Sequence, residues 1–171
     1  MNNDSLKIAL VDENDKIIGF AAKDEVHKKG FLHRAFSIFV FNSKNQLLLQ
    51  KRAVSKYHSG GLLTNTCCSH LVENVDFENY MHQRLREEMG FDCELIFRFS
   101  FTYKIKFDNG LTEYETDHVY TGIWDGIPKP NPDEADGFLW MDFDEVILDV
   151  EKTPEKYTYW FREAIKKFGK Y

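Results

Sequence analysis

The sequence predicts an α+β protein, a mixed central sheet with helices on its outer sides, in other words an α/β/α sandwich. Three observations predict it. Apolar runs come in pairs separated by turn formers, as in "LKIALVDENDKIIGFAA". One segment, "FENYMHQRLREEM", carries its apolar residues near helical spacing. The last third alternates a short strand pattern with helical ones.

Taken in order, "LKIALVD" and "KIIGFAA" flank the turn-forming "ENDK" and read as a hairpin. "AFSIFVFN" is a strong strand, "SKN" turns the chain, and "QLLLQKR" returns as a second hairpin. A polar, glycine-containing loop, "AVSKYHSGG", then leads into "LLTNTCCSH". Phe77 to Met89 reads as a helix, with Gly90 placed as its C-terminal stop. "CELIFRFSFTYKIKF" is a long strand, "DNG" a hairpin turn, and "ETDHVYTGIW" the strand running back. After the loop "PKPNPDEAD" come the short strand "GFLWMDF" and the helix "DFDEVILDV". "TPEKYTYWFREAIKKF" reads as a final helix, with Thr153 as N-cap and Pro154 at its first position. No repeat, low-complexity tract or Pro/Gly-rich linker interrupts the chain, so residues 1–171 read as one domain.

The bulk composition narrows the function. With 171 residues, 43% of them hydrophobic, the chain is long enough for a real core. Twenty-two basic residues against 28 acidic ones give a net charge of −6, which excludes a general nucleic-acid binder. A diphosphate needs only a few local cations and stays within reach. No apolar run approaches the roughly 20 residues of a membrane span. The start "MNNDSLKIALVDENDK" lacks the basic and apolar regions of a secretory signal. The cysteine count, 3, is odd, and the adjacent Cys67 and Cys68 are poorly placed to bridge each other. A reducing cytoplasm is therefore the expected setting.

Candidate chemistry gathers around histidines and carboxylates. "EYE" sets Glu113 and Glu115 two apart, so on a strand both project from the same face. With His27, His33 and His70 they would make a shell suited to a divalent transition metal. Singly, each histidine reads as an ordinary satisfied side chain and "EYE" as a solvated strand face. Cys68 on its own reads as a buried apolar filler, and "YTYW" as helix packing.

"REEMG" is a fragment of a Nudix box. With Gly90 as the last position, Glu87 and Glu88 fill the terminal acidic pair and Leu85 the aliphatic site. Ser69 stands for the first glycine, Val75 for the first glutamate, and Gln83-Arg84 for Arg-Glu, so the box is degenerate. Together with "HRAFSIFVFN", "LLLQKRAVSKYHS", "TNTCCSH", "FTY", "EYE" and "YTYW", in that family's order, the chain resembles the type 1 isopentenyl-diphosphate isomerases of the Nudix superfamily. The likeness runs from about Lys23 to Phe161.

That resemblance implies a Nudix-like fold and conversion of isopentenyl diphosphate to dimethylallyl diphosphate through a tertiary carbocation. It implies Cys68 and Glu115, assisted by Tyr103, as the proton-transfer groups on opposite faces of the substrate. His27, His33, His70, Glu113 and Glu115 match the ligands of one Mn²⁺ or Zn²⁺. Glu88, with the Cys68 carbonyl, matches a site for Mg²⁺ shared with the substrate diphosphate. Lys23, Arg52, Lys56 and Arg84 match the cationic contacts to that diphosphate, and Trp160 the active-site tryptophan. Leu63 and Leu71 depart from the family's usual Trp and Pro. The implied partner is a small isoprenoid diphosphate, with no nucleic acid or membrane, and a monomer or weak homodimer is expected.

Two other readings compete. A Nudix pyrophosphohydrolase would act on a nucleoside diphosphate derivative, but the broken box speaks against it. A closed structural zinc site would use His27, His33, His70, Cys67 and Cys68, and would unfold on chelation.

Overall fold

A computed structural model describes residues 6–168. Strands β1 (Lys7–Val11) and β2 (Ile17–Ala22) form the first hairpin. Asp12 Oδ1 accepts from the backbone N–H groups of Asn14 and Lys16, both at 2.9 Å, and so closes its turn. Helix α1 (Lys23–Lys29) follows at once, a segment to which the sequence reading assigned no element. Seven residues are too few to display a helical period.

Strand β3 (His33–Phe41) is the spine of the sheet. Strand β8 (Thr112–Ile123) runs parallel along one whole edge, from His33 beside Glu115 to Phe41 beside Ile123. Three strands share the other edge: β1 at His33, β6 (Cys67–His70) opposite Ala35 to Ile38, and β4 (Gln46–Arg52) at Phe41. Strand β4 also pairs with β5 (Leu63–Thr64) and β9 (Ala135–Asp142), and β7 (Ile96–Lys106) pairs with β8. The product is a mixed, curled sheet.

Both faces of the spine are covered, which is why β3 reads as an unbroken apolar run. Phe36, Ile38 and Val40 meet Met81, Leu85 and Met89 of α2 (Phe77–Met89). Phe39, Leu47 and Leu49 meet α3 (Phe143–Lys152) and α4 (Tyr159–Phe168) through Val146, Val150, Phe161 and Ile165. Burying Leu85 completely contributes about 2 kcal/mol. Helix α2 has the expected bounds. Asp76 Oδ1 caps it by accepting from Asn79 N–H at 3.0 Å, and Gly90 ends it in the left-handed region at φ 76°. A Cβ on Gly90 would sit 2.6 Å from the Lys129 carbonyl oxygen, so both backbone and space demand glycine.

The last element corrects the sequence reading. Residues 153–168 are not one helix, and Thr153 is not its N-cap. Thr153 closes α3 instead, its N–H and hydroxyl both donating to the Asp149 carbonyl, at 2.8 and 2.9 Å. Pro154–Lys156 form a short 3₁₀ turn, and Tyr157 is extended before α4 begins. Tertiary partners cause the break. Tyr157 is buried with its hydroxyl donating to Asp149 Oδ2 at 2.7 Å, and Thr158 N–H donates to the Leu63 carbonyl at 2.9 Å. Thr158 and Thr64 hydroxyls also meet at 2.9 Å, which pins the start of α4 against the chain leading to Cys68. Trp160 is thereby delivered to the site.

Candidate active site

Three elements bring imidazoles to one point. Helix α1 supplies His27, the first residue of β3 is His33, and the last of β6 is His70. Their ring centroids lie 5.0–5.1 Å apart. The parallel register sets Glu115 beside His33, and strand alternation puts Glu113 on the same face. Ligand atoms of His27, His33, His70 and Glu113 all lie within 4.8 Å of one another. Among the described residues, His27 Nε2, His33 Nε2 and Glu113 Oε2 are buried with no hydrogen-bond partner. His33 Nδ1 donates to the Phe31 carbonyl at 2.8 Å, which leaves Nε2 facing the cluster. Orphaned, converging nitrogen and oxygen atoms are what a transition-metal site requires, and these residues fit one.

Burial and opposite charge work against each other in the cluster. Burial works against charge on Glu113, yet the imidazoles of His27, His33, His58 and His70 hold it well below the usual carboxylate range. Burial and the neighbouring Glu113 oppose ionisation of Glu115, but His33 and His70 also bring it below its ordinary value. Burial alone would lower His33, and the two carboxylates outweigh it, raising His33 to about 10. His27 is lowered by burial.

Next to the cluster, Tyr103 Oη donates to Glu115 Oε2 at 2.5 Å. Burial and the Glu115 charge push Tyr103 far up, so it keeps its proton and remains a donor. Glu115 and Tyr103 line one cavity together with Cys68, Trp160 and the cationic side chains. Burial pushes the Cys68 thiol up to about 12, although Arg52 Nη1, 4.0 Å from its sulfur, opposes this. Trp160 is 5% exposed, with the Arg52 guanidinium carbon 5.1 Å from its ring centre.

The same cavity is lined by Lys23, Arg52, Lys56, Arg84 and Glu88. Arg84 Nη2 donates to Glu88 Oε1 at 2.8 Å and to Glu134 Oε1 at 3.2 Å, while Gln50 Nε2 donates to Glu88 Oε2 at 3.1 Å. Lys56 pairs with Glu134. Burial lowers Lys23, with Glu113 opposing. Each Glu88 oxygen accepts one bond and keeps a lone pair for a hard cation.

All the site residues expected from the sequence line this cavity or the histidine cluster beside it. Cys67 stands apart, packed with Ile38, Leu85 and Met89 on the α2 side, so the imidazoles have no second thiol to close a zinc site. Sequence reasoning missed the buried His58 and the half-buried Glu134, because a residue in an irregular loop carries no periodic signal.

A NUDIX domain model matches residues 31–161. An isopentenyl-diphosphate delta-isomerase 2 of Aromatoleum aromaticum is 53% identical over 159 residues, covering 93% of this chain and 84% of that protein. The chain belongs to the isopentenyl-diphosphate delta-isomerase family, within the Nudix superfamily. An isopentenyl-diphosphate delta-isomerase of Pectobacterium atrosepticum is 47% identical over 165 residues, covering 96% and 92% of the two chains. Among solved structures, DR0079 of Deinococcus radiodurans superposes with a TM-score of 0.77 at 19% identity, over 94% of this chain and 98% of that one. At that identity it shows the Nudix fold alone. Among the described residues of this family member, no helix is long and apolar enough to cross a membrane.

Proposed function

We propose that this chain, acting as one domain, isomerises isopentenyl diphosphate to dimethylallyl diphosphate. The carrying observation is that one cavity is lined at once by Cys68, the Tyr103–Glu115 pair, Trp160 and the cationic side chains. The names of relatives at 53% and 47% identity support the same reading.

The reaction needs a proton placed on C4 of an unactivated alkene and another taken from C2. Cys68 and Glu115 are suited to this as a pair, because one holds a proton in the resting site and the other is ionised. Protonation at C4 leaves positive charge at C3, and loss of the C2 proton forms the new double bond. Tyr103 steadies the Glu115 carboxylate and supplies a hydroxyl proton beside it. The Trp160 ring offers its π-face to the cation, worth about 2 kcal/mol in a dry site. Burial of Trp160 and Glu115 beside the half-buried Cys68 limits the water that would trap the cation as an alcohol.

Lys23, Arg52, Lys56 and Arg84 would hold the diphosphate, with Mg²⁺ at Glu88. His27, His33, His70 and Glu113, joined by Glu115 whose Oε1 lies 2.9 Å from His70 Nε2 and 3.4 Å from His33 Nε2, would hold a Mn²⁺ or Zn²⁺, which when bound would alter the proton affinity of the carboxyl beside it. The test is incubation of purified protein with isopentenyl diphosphate and Mg²⁺ in D₂O. Dimethylallyl diphosphate carrying deuterium is the expected product. No turnover by fully metallated protein would sink the reading, and release of phosphate or pyrophosphate from a nucleoside diphosphate derivative would replace it with hydrolysis.

A further inference from the structure

One buried imidazole aimed at the histidine cluster has no role so far. His58 lies in the loop between β4 and β5 and is 8% exposed. Its Nε2 lies 2.7 Å from Glu113 Oε1, and because a carboxylate only accepts, the ring N–H must donate. The ring is clamped by its neighbours. It stacks on Phe107 at 4.5 Å with planes 13° apart, and meets Tyr57 and Trp160 edge-on at 4.3 and 5.7 Å.

The two oxygens of Glu113 are thus divided. Oε1 is taken by His58, whereas Oε2 faces His27 at 3.1 Å, His33 at 3.4 Å and His70 at 3.8 Å. His58 itself falls outside the group whose ligand atoms converge. Without this donor the carboxylate would first have to be ordered in that orientation, which lowers affinity while leaving the same oxygen to bind. We propose that His58 is a positioning residue for Glu113, fixing the carboxylate so that only Oε2 is presented to a cation. This rests on the reading of the His/Glu cluster as a metal site. The same contact ties the loop carrying Lys56 to the cluster, so the diphosphate end and the metal end share one strut.

Outer partners of metal ligands typically change affinity 10- to 100-fold. The test titrates metal-free, full-length protein with Co²⁺, reading affinity by competition with a chromophoric chelator and geometry by the visible absorption bands. His58→Ala should bind Co²⁺ about 10- to 100-fold more weakly with unchanged bands. His58→Gln, whose amide can donate to the same oxygen, should recover most of the loss. Should His58→Ala fail to fold, His58→Leu against His58→Gln makes the same comparison at matched bulk. His33→Ala is the control for the site itself and should lose more affinity and change the bands. Unchanged affinity in His58→Ala beside a weakened His33→Ala would overturn the proposal. Altered bands in His58→Ala would also overturn it, by making His58 a direct ligand. Unchanged binding by His33→Ala would bring down the metal-site reading, and the His58 role with it.

Discussion

Cys67 and Cys68 are neighbours in sequence and face opposite sides of β6. Cys67 packs against Ile38, Leu85 and Met89 beneath α2, while Cys68 opens into the cavity beside Arg52 and Trp160. Strand alternation alone separates the packing thiol from the one that lines the cavity. Cys68→Ala should therefore reduce isomerisation about 10²- to 10⁴-fold with an unchanged circular dichroism spectrum. Cys67→Ala should keep turnover within a few fold and cost about 1 kcal/mol in urea unfolding. Equal kinetic damage from the two would contradict this division.

Tyr103 lines the cavity and donates its hydroxyl proton to Glu115 Oε2 at 2.5 Å. Tyr103→Phe keeps the ring, which packs against Phe101 at 5.8 Å, and removes the donor. A fall in kcat of about 10- to 100-fold with little change in KM is expected. A rise in KM alone would place Tyr103 in substrate binding instead.

Arg84 divides its guanidinium among Glu87, Glu88 and Glu134. Lysine keeps the charge but loses the planar fork, so Arg84→Lys should raise KM for the diphosphate about tenfold. Wild-type KM in this variant would remove Arg84 from the diphosphate end.

Acid stability gives a separate handle on the same network. Burial would raise the Glu134 carboxyl, but Lys56 and Arg84 hold it below its ordinary 4.5. A carboxyl lowered by folding stabilises the protein above that ordinary value and loses the effect as pH falls through its folded value. Stability of the wild type should thus fall more steeply below about pH 4.5 than that of Glu134→Gln, which has no proton to take up there. At neutral pH the variant should be about 1–2 kcal/mol less stable. Parallel pH curves from urea unfolding would show that these ion pairs add nothing.

Much of the fold was legible because it is written in local patterns. The hairpin turns, the apolar run of β3 and the interval from Phe77 to Gly90 each depend on residues adjacent in sequence. Helix α1 was not legible, being too short to repeat a period. The break at Tyr157 escaped notice for a different reason: Asp149 and Leu63, which impose it, lie 8 and about 94 residues away.

By itself, the sequence determined which chemical groups the chain owns, and through motif order, the family to which it belongs. Only the folded chain decided their orientation. It turned Glu113 so that one oxygen meets His58 and the other meets three imidazoles, and it chose Cys68 over Cys67 for the cavity. The physical reason is that residue identity is local, whereas the environment setting a proton's affinity or a ligand's direction is assembled from strands and loops remote in the chain.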